Sequence, residues 1–93
     1  MAFKTKYFKL TSEWQLLLDN TGNKANANNS FYVNKGSGDF AYSNDAPDLE
    51  EGMRISAGAR IIPVPVNAKL WGKLPKNFKD YEDYCDGFIN VDE

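Results

Sequence analysis

Few residues in this chain can do chemistry. Cys85 is the only thiol, and there is no histidine among the 93 residues. A nucleophilic cysteine needs a neighbouring base or cation to favour the thiolate. Cys85 instead lies between Asp83 and Asp86, whose charges raise its pKa. One cysteine forms no internal disulfide, and a zinc site needs several Cys or His ligands. Paired carboxylates occur at Glu50-Glu51 and Glu82-Asp83. Adjacent residues on a strand point to opposite faces, so neither pair converges on one reacting atom, and both read as solvated charge. Lys35-Gly36-Ser37-Gly38 has the glycine content of a phosphate cradle, but no Walker or dinucleotide spacing surrounds it, and it reads as a hairpin loop. Residues 82–93 imitate a calcium-binding loop, with Asp86, Gly87, Ile89 and Glu93 at matching positions. Glu82 and Tyr84 stand where that loop needs short oxygen ligands, so calcium is not expected. The expectation is a protein with no catalytic residues, no metal and no cofactor, and therefore not an enzyme.

Aromatic residues are the remaining candidates. Trp14, Trp71, five Tyr and six Phe are more than a chain of this size needs on its surface, and most are expected in the core. Phe78, Tyr81, Tyr84 and Phe88 lie in the C-terminal stretch and are the candidate partner-docking residues. The spacing of Phe78, Tyr81 and Tyr84 or Cys85 allows a short amphipathic helix on binding. That stretch is acidic. Residues 76–93 hold two lysines and six carboxylates, a net of −4, which leaves +2 on residues 1–75. The total of −2 does not suit a phosphate backbone, so no nucleic acid is expected as a partner. No segment has the roughly 20 apolar residues of a membrane span, and the N-terminus lacks the apolar run of a signal peptide. Synthesis in the cytoplasm and no membrane partner are the expectations. The sequon Asn28-Asn29-Ser30 then reads as chance.

The elements that must position these residues are short and β-rich. Residues 5–10 read as a strand, and 13–19 as a second, with a short helix over 11–18 as the alternative. Residues 20–29 contain no large apolar side chain and read as the most mobile loop apart from the termini. Residues 30–35 and 39–43 read as a hairpin closed by Gly36-Ser37-Gly38. Residues 49–55 read as a short strand or an extended approach to one. In 59–66, Pro63 and Pro65 alternate with β-branched residues, which predicts an edge strand with its proline side unpaired. Residues 68–74 read as the last strand, stopped by Pro75. The pattern predicts an all-β fold: a small antiparallel β-sandwich or barrel over residues 1–75, with its compact part at 11–75. The tail, 76–93, is expected to be short, acidic and partly helical. The ends, opposite in charge, read as segments outside the compact pattern.

The order of segments resembles a known group. Trp14 precedes Leu16-Leu17-Leu18-Asp19-Asn20, and Phe31-Tyr32-Val33 and Phe40-Ala41-Tyr42 lead into Asp45-Ala46-Pro47. Gly52-Met53-Arg54-Ile55-Ser56-Ala57-Gly58, a β-branched strand and Lys69-Leu70-Trp71-Gly72-Lys73 follow. Over residues 12–75 this is similar to the small β-sandwich domains of tailed-bacteriophage virions: capsid decoration proteins, head fibres and tail attachment modules. Gly72 stands where alanine is commoner, and the tail has no counterpart. The resemblance implies a multi-copy virion structural protein, trimeric for preference, that docks on a larger virion protein. The alternative is a module that binds host-surface carbohydrate through loop 20–30 and surface Trp or Tyr side chains.

Overall fold

A computed structural model describes residues 3–58, 60–75 and 84–92. The fold is all-β, a curled antiparallel sheet of the small barrel or sandwich kind. Its strands are β1 (Phe3–Lys9), β2 (Gln15–Asn20), β3 (Ser30–Tyr42), β4 (Met53–Ser56), β5 (Ile62–Pro63), β6 (Ala68–Lys73) and β7 (Cys85–Asp92). A 3-10 turn, Gly22–Lys24, follows β2. No helix among the described residues is long and apolar enough to cross a membrane.

β3 is the spine. Its first half pairs with β7, from Ser30↔Asn90 to Gly36↔Cys85, and β7 in turn pairs with β1. Its second half pairs with β6, from Asp39↔Lys73 to Tyr42↔Leu70, and β6 pairs with β2. On its other flank β4 and β5 run in one register, Phe40↔Met53 through Ser37↔Ser56 and then Phe31↔Ile62 and Ser30↔Pro63. The sheet therefore splits near Gly36. One layer is β1–β7 and the other is β2–β6, and they fold over a shared core. Phe31, Val33, Phe40, Leu70 and Cys85 are fully buried there, with Phe8, Leu10, Leu18, Val64 and Ile89 nearly so. Each large apolar side chain removed from water in this way stabilises the fold by about 1.5–3 kcal/mol.

The predicted hairpin is corrected. Residues 30–42 form one continuous strand, and its halves pair with different partners instead of with each other. A register shift between Val33 and Lys35 and a positive φ of 78° at Gly36 bend the strand from one layer to the next. Corners of this kind are a common use of bulges and glycines. A hairpin turn and a sheet-switching bend need the same glycines, which is why local sequence did not separate them.

The predicted domain boundary is also corrected. Residues 85–92, expected in a tail outside the compact domain, are the strand between β1 and β3. Residues 3–9 pair with them along their full length, from Phe3↔Asp92 to Lys9↔Asp86. The basic N-terminal end and the acidic C-terminal end are thus partners, not free ends. The strand reading of 13–19 is right, as β2 is extended. The proline-bearing edge is shorter than expected, but its logic holds. Val64 N–H donates to Asn29 O at 2.9 Å, so the alternating nitrogens of Pro63 and Pro65 face away from β3.

The loop at 20–29 is tied down rather than loose. Asn20 and Asn29 are fully buried. Asn20 Nδ2 donates to the carbonyls of Asn26, Val64 and Pro65, and its Oδ1 accepts from Asn26 N–H and Asn29 Nδ2. Asn29 Oδ1 accepts from Asp92 N–H at 2.8 Å. Side-chain amides here link the end of β2 through Asn29 to the end of β7.

Candidate docking face and interior cleft

Side chains alternate across β1, β7 and β3. Phe8, Ile89, Phe31 and Val33 turn inward, so Tyr7, Phe88 and Tyr32 turn outward. The register sets Tyr7 opposite Phe88 and Phe88 opposite Tyr32. Their rings form a row, with centroids 5.6 Å apart at 65° for Tyr7–Phe88 and 6.4 Å apart at 15° for Tyr32–Phe88. Ile61 extends the row beyond β3, and it bounds a shallow hollow of about 230 Å³ with Thr5, Tyr32, Phe88 and Asn90. Tyr7 and Ile61 are 55% and 58% exposed.

One end of the row is fixed by a carboxylate. Tyr7 and Tyr84 hydroxyls both donate to Asp86 Oδ2 at 2.7 Å, and Asn34 Nδ2 donates to Oδ1 at 3.4 Å. Lys9 Nζ lies 5.1 Å from the Tyr84 ring centre. Burial pushes the Asp86 pKa up, but the hydrogen bonds from Tyr84, Tyr7 and Asn34, with the Lys35 charge, outweigh it and hold the carboxyl below its ordinary value. Bonding to Tyr84 and Asp86 raises the Tyr7 pKa, so its phenol stays protonated. Each of these groups is occupied by its neighbours, and the cluster orders the face.

Of the candidate docking residues, Tyr84 and Phe88 belong to this face, and Phe78 and Tyr81 lie outside the described residues. Sequence reading missed Tyr7, Tyr32 and Ile61 as their companions. The signal was present in the paired aromatics Tyr7-Phe8 and Phe31-Tyr32, each of which sends one ring in and one out. Of the calcium-like stretch, Cys85–Asp92 is extended strand, and Glu82, Asp83 and Glu93 lie outside the described residues. Cys85 is fully buried, and burial, with a smaller part from Asp86, pushes its thiol up to about 12.

A second feature opens on the interior side. A cleft of about 600 Å³ lies where the β1 edge of one layer faces the β2 edge of the other. Leu17, Leu18, Ile89 and Val91 form its apolar part, and Lys6, Lys24 and Asn26 are among its polar lining. Asp92 also lines it. That residue is 6% exposed; its Oδ2 accepts from Asn28, while Oδ1 has no partner among the described residues.

Comparison with family models, with curated proteins and with solved structures gave no match.

Proposed function

We propose that this chain is a non-enzymatic structural or accessory module of a tailed-bacteriophage virion, a capsid decoration, head-fibre or tail component. It assembles with copies of itself, as a trimer for preference, and docks on a larger virion protein. The observation that carries the reading is the outward-facing row Tyr7–Phe88–Tyr32–Ile61, exposed at its two ends and half-buried between them, an ordered strip on the outer face of the sheet. Exposed aromatic strips of this kind mark association surfaces. The resemblance over residues 12–75 supplies the virion context. Light scattering on the purified chain tests it: an oligomer is expected, and Ile61→Asp should dissociate it without changing the circular dichroism. A monomer at millimolar concentration would refute self-assembly.

A second reading, a carbohydrate-binding module, has one observation in its favour. Residues 23–26 of the 20–30 loop line the interior cleft. No Trp or Tyr side chain joins them there, so the aromatic part of that expectation has no support at this site.

A further inference from the structure

A second outward row lies on the other layer, and the docking face does not account for it. Leu70 is fully buried, and a Cβ on Gly72 would meet Leu17, Leu10 and Phe40, so Trp71 between them points outward. The register sets Leu16 and Ala41 on either side of Trp71. Leu16 is 46% exposed. Trp14, one residue before β2, lies on the same face. Its ring centre is 5.6 Å from the Nζ of Lys73, which β6 also turns outward, and its edge comes within 2.8 Å of where a Cβ on Gly52 would stand. Trp14 Nε1 donates to Leu49 O and Trp71 Nε1 to Ser43 O, both at 2.8 Å. Both tryptophans of the chain are thus half-buried on one outer face, with their polar atoms satisfied, and Leu16 and Leu49 are exposed beside them. Asp39 holds one side of this face, accepting from Arg54 Nε at 2.8 Å and standing opposite Lys73 in register, as Asp86 holds one end of the first row. Tryptophan is among the residue types in which interfaces concentrate their binding energy.

We infer that this Trp14–Trp71 face receives the Tyr7–Phe88–Tyr32–Ile61 face of a second copy, so that assembly joins unlike faces. The inference rests on the self-assembly reading and names the second surface that reading needs. Symmetry is the first argument for a copy as the occupant. A two-fold contact uses one face on both chains and ends at a dimer, whereas a trimer requires each copy to present two different surfaces. Area is the second. The first face spans four strands and the seven residues of β1, at most about 19 by 23 Å, or roughly 440 Å². A stable specific interface takes about 800 Å² per partner. One face against its own copy falls short of that. Unlike faces joined in a closed assembly let each copy bury both, and the last contact forms within one particle. The two surfaces also differ in shape. The first holds the shallow hollow between Thr5, Tyr32, Ile61, Phe88 and Asn90, and the second presents Leu16 as an exposed side chain to fill it.

The test mixes two blocked full-length chains. Ile61→Asp removes the first face and Leu16→Asp the second, with Leu16→Gln in its place where the aspartate variant loses its NMR dispersion. Light scattering should show the parent as an oligomer and each variant alone as a monomer. The mixture keeps one intact face of each kind. Labelled Ile61→Asp should therefore show saturable shifts at the Trp14 and Trp71 indole N–H signals when unlabelled Leu16→Asp is added, and none when unlabelled Ile61→Asp is added. The mass of the mixture should rise toward two chains and no further. A Leu16 variant that keeps the parent mass would overturn the inference and leave self-assembly standing, because the first face would then pair with itself. Two monomeric variants that give no shifts when mixed would overturn it as well. A parent that is monomeric at millimolar concentration would overturn the self-assembly reading with it.

Discussion

Gly36 is the position at which the fold differs most from its local sequence, and its substitution separates the two descriptions. In a hairpin loop, a glycine with φ of 78° would be replaced by alanine at the cost of left-handed strain alone, about 1–2 kcal/mol. In the bent strand there is a second cost. A Cβ on Gly36 would lie 1.7 Å from the Tyr84 carbonyl oxygen and 2.7 Å from its carbon. Relief requires the entry to β7 to move by roughly 1.5 Å or more, given ordinary non-bonded spacing. That movement disturbs the Gly36↔Cys85 and Lys35↔Asp86 pairing. Overpacking costs about 1–3 kcal/mol, and each weakened hydrogen bond about 1 kcal/mol. Gly36→Ala should therefore lose about 3–5 kcal/mol, a large part of the stability of a domain of this size. Gly22 is the internal control. Its φ is 59°, and nothing lies within 4 Å of its Cβ position, so Gly22→Ala should lose the strain alone. Urea unfolding followed by tryptophan fluorescence measures both, and the thermal midpoints should differ by about 10–25 °C. Gly36→Asn makes the test sharper, because asparagine tolerates the left-handed region and leaves only the clash. If Gly36→Asn stays within about 1 kcal/mol of the parent, the close approach of β7 to this glycine is wrong.

Three further outcomes follow from the same geometry. Asp86 has a lowered folded pKa, so its contribution is present above the ordinary carboxylate value of 3.8 and is lost as pH falls through the lower folded value. Tyr7 has a raised folded pKa, so its contribution is complete below 10.0 and is lost as pH rises further. Urea midpoints measured against pH should show both limbs, and Tyr7→Phe should flatten the alkaline one, leaving the parts due to Cys85 and Tyr42, which burial also raises. Cys85 should resist a thiol reagent at pH 8 in the native state and react at the rate of global unfolding, since burial both hides it and disfavours the thiolate; rapid native labelling would contradict its placement. Removal of residues 85–93 should abolish the cooperative thermal transition, because it takes out the strand between β1 and β3; a truncated chain that still melts cooperatively would restore the reading of this segment as a tail.

The fold class was legible because strand length, β-branched content and turn residues act locally. β2, the proline edge and β6 could be read for that reason. Long-range pairing could not. β7 carries Asp86, Gly87, Asn90 and Asp92 among its eight residues, a composition that reads as tail or loop. Its stability as a strand comes from being paired on both sides, by β1 and β3, which no local pattern reports. The opposite charges of the two ends were the available clue, and they indicate each other as partners as well as any outside surface. The asparagines of 20–29 were likewise legible as turn formers, but not as buried ones. Asn20 and Asn29 are inside because each finds partners from distant segments. The docking face was half legible. Phe88 and Tyr84 were visible as surplus aromatics, while Tyr7 and Tyr32 needed the register to place them beside Phe88.

How this protein meets others follows from its edges as much as from its faces. A free strand edge invites indiscriminate pairing, and each edge here is guarded. β1 places Lys4, Lys6 and Lys9 along one edge. β2, the other end of the strand order, is broken by the register shift between Leu16 and Leu18. On the third edge β4 and β5 are separated by residues 57–61, and Pro63 and Pro65 turn their nitrogens outward. Among the described residues, three unrelated devices thus disfavour indiscriminate edge pairing. Tyr7, Phe88, Tyr32 and Ile61 have no such guard, and the outward strip they make is ordered at one end by the Tyr7–Tyr84–Asp86 hydrogen bonds. Closed assemblies need a face of defined shape and edges that do not compete with it. The proposed assembly role would place that requirement on every copy, and guarded edges beside an ordered outward face are compatible with it.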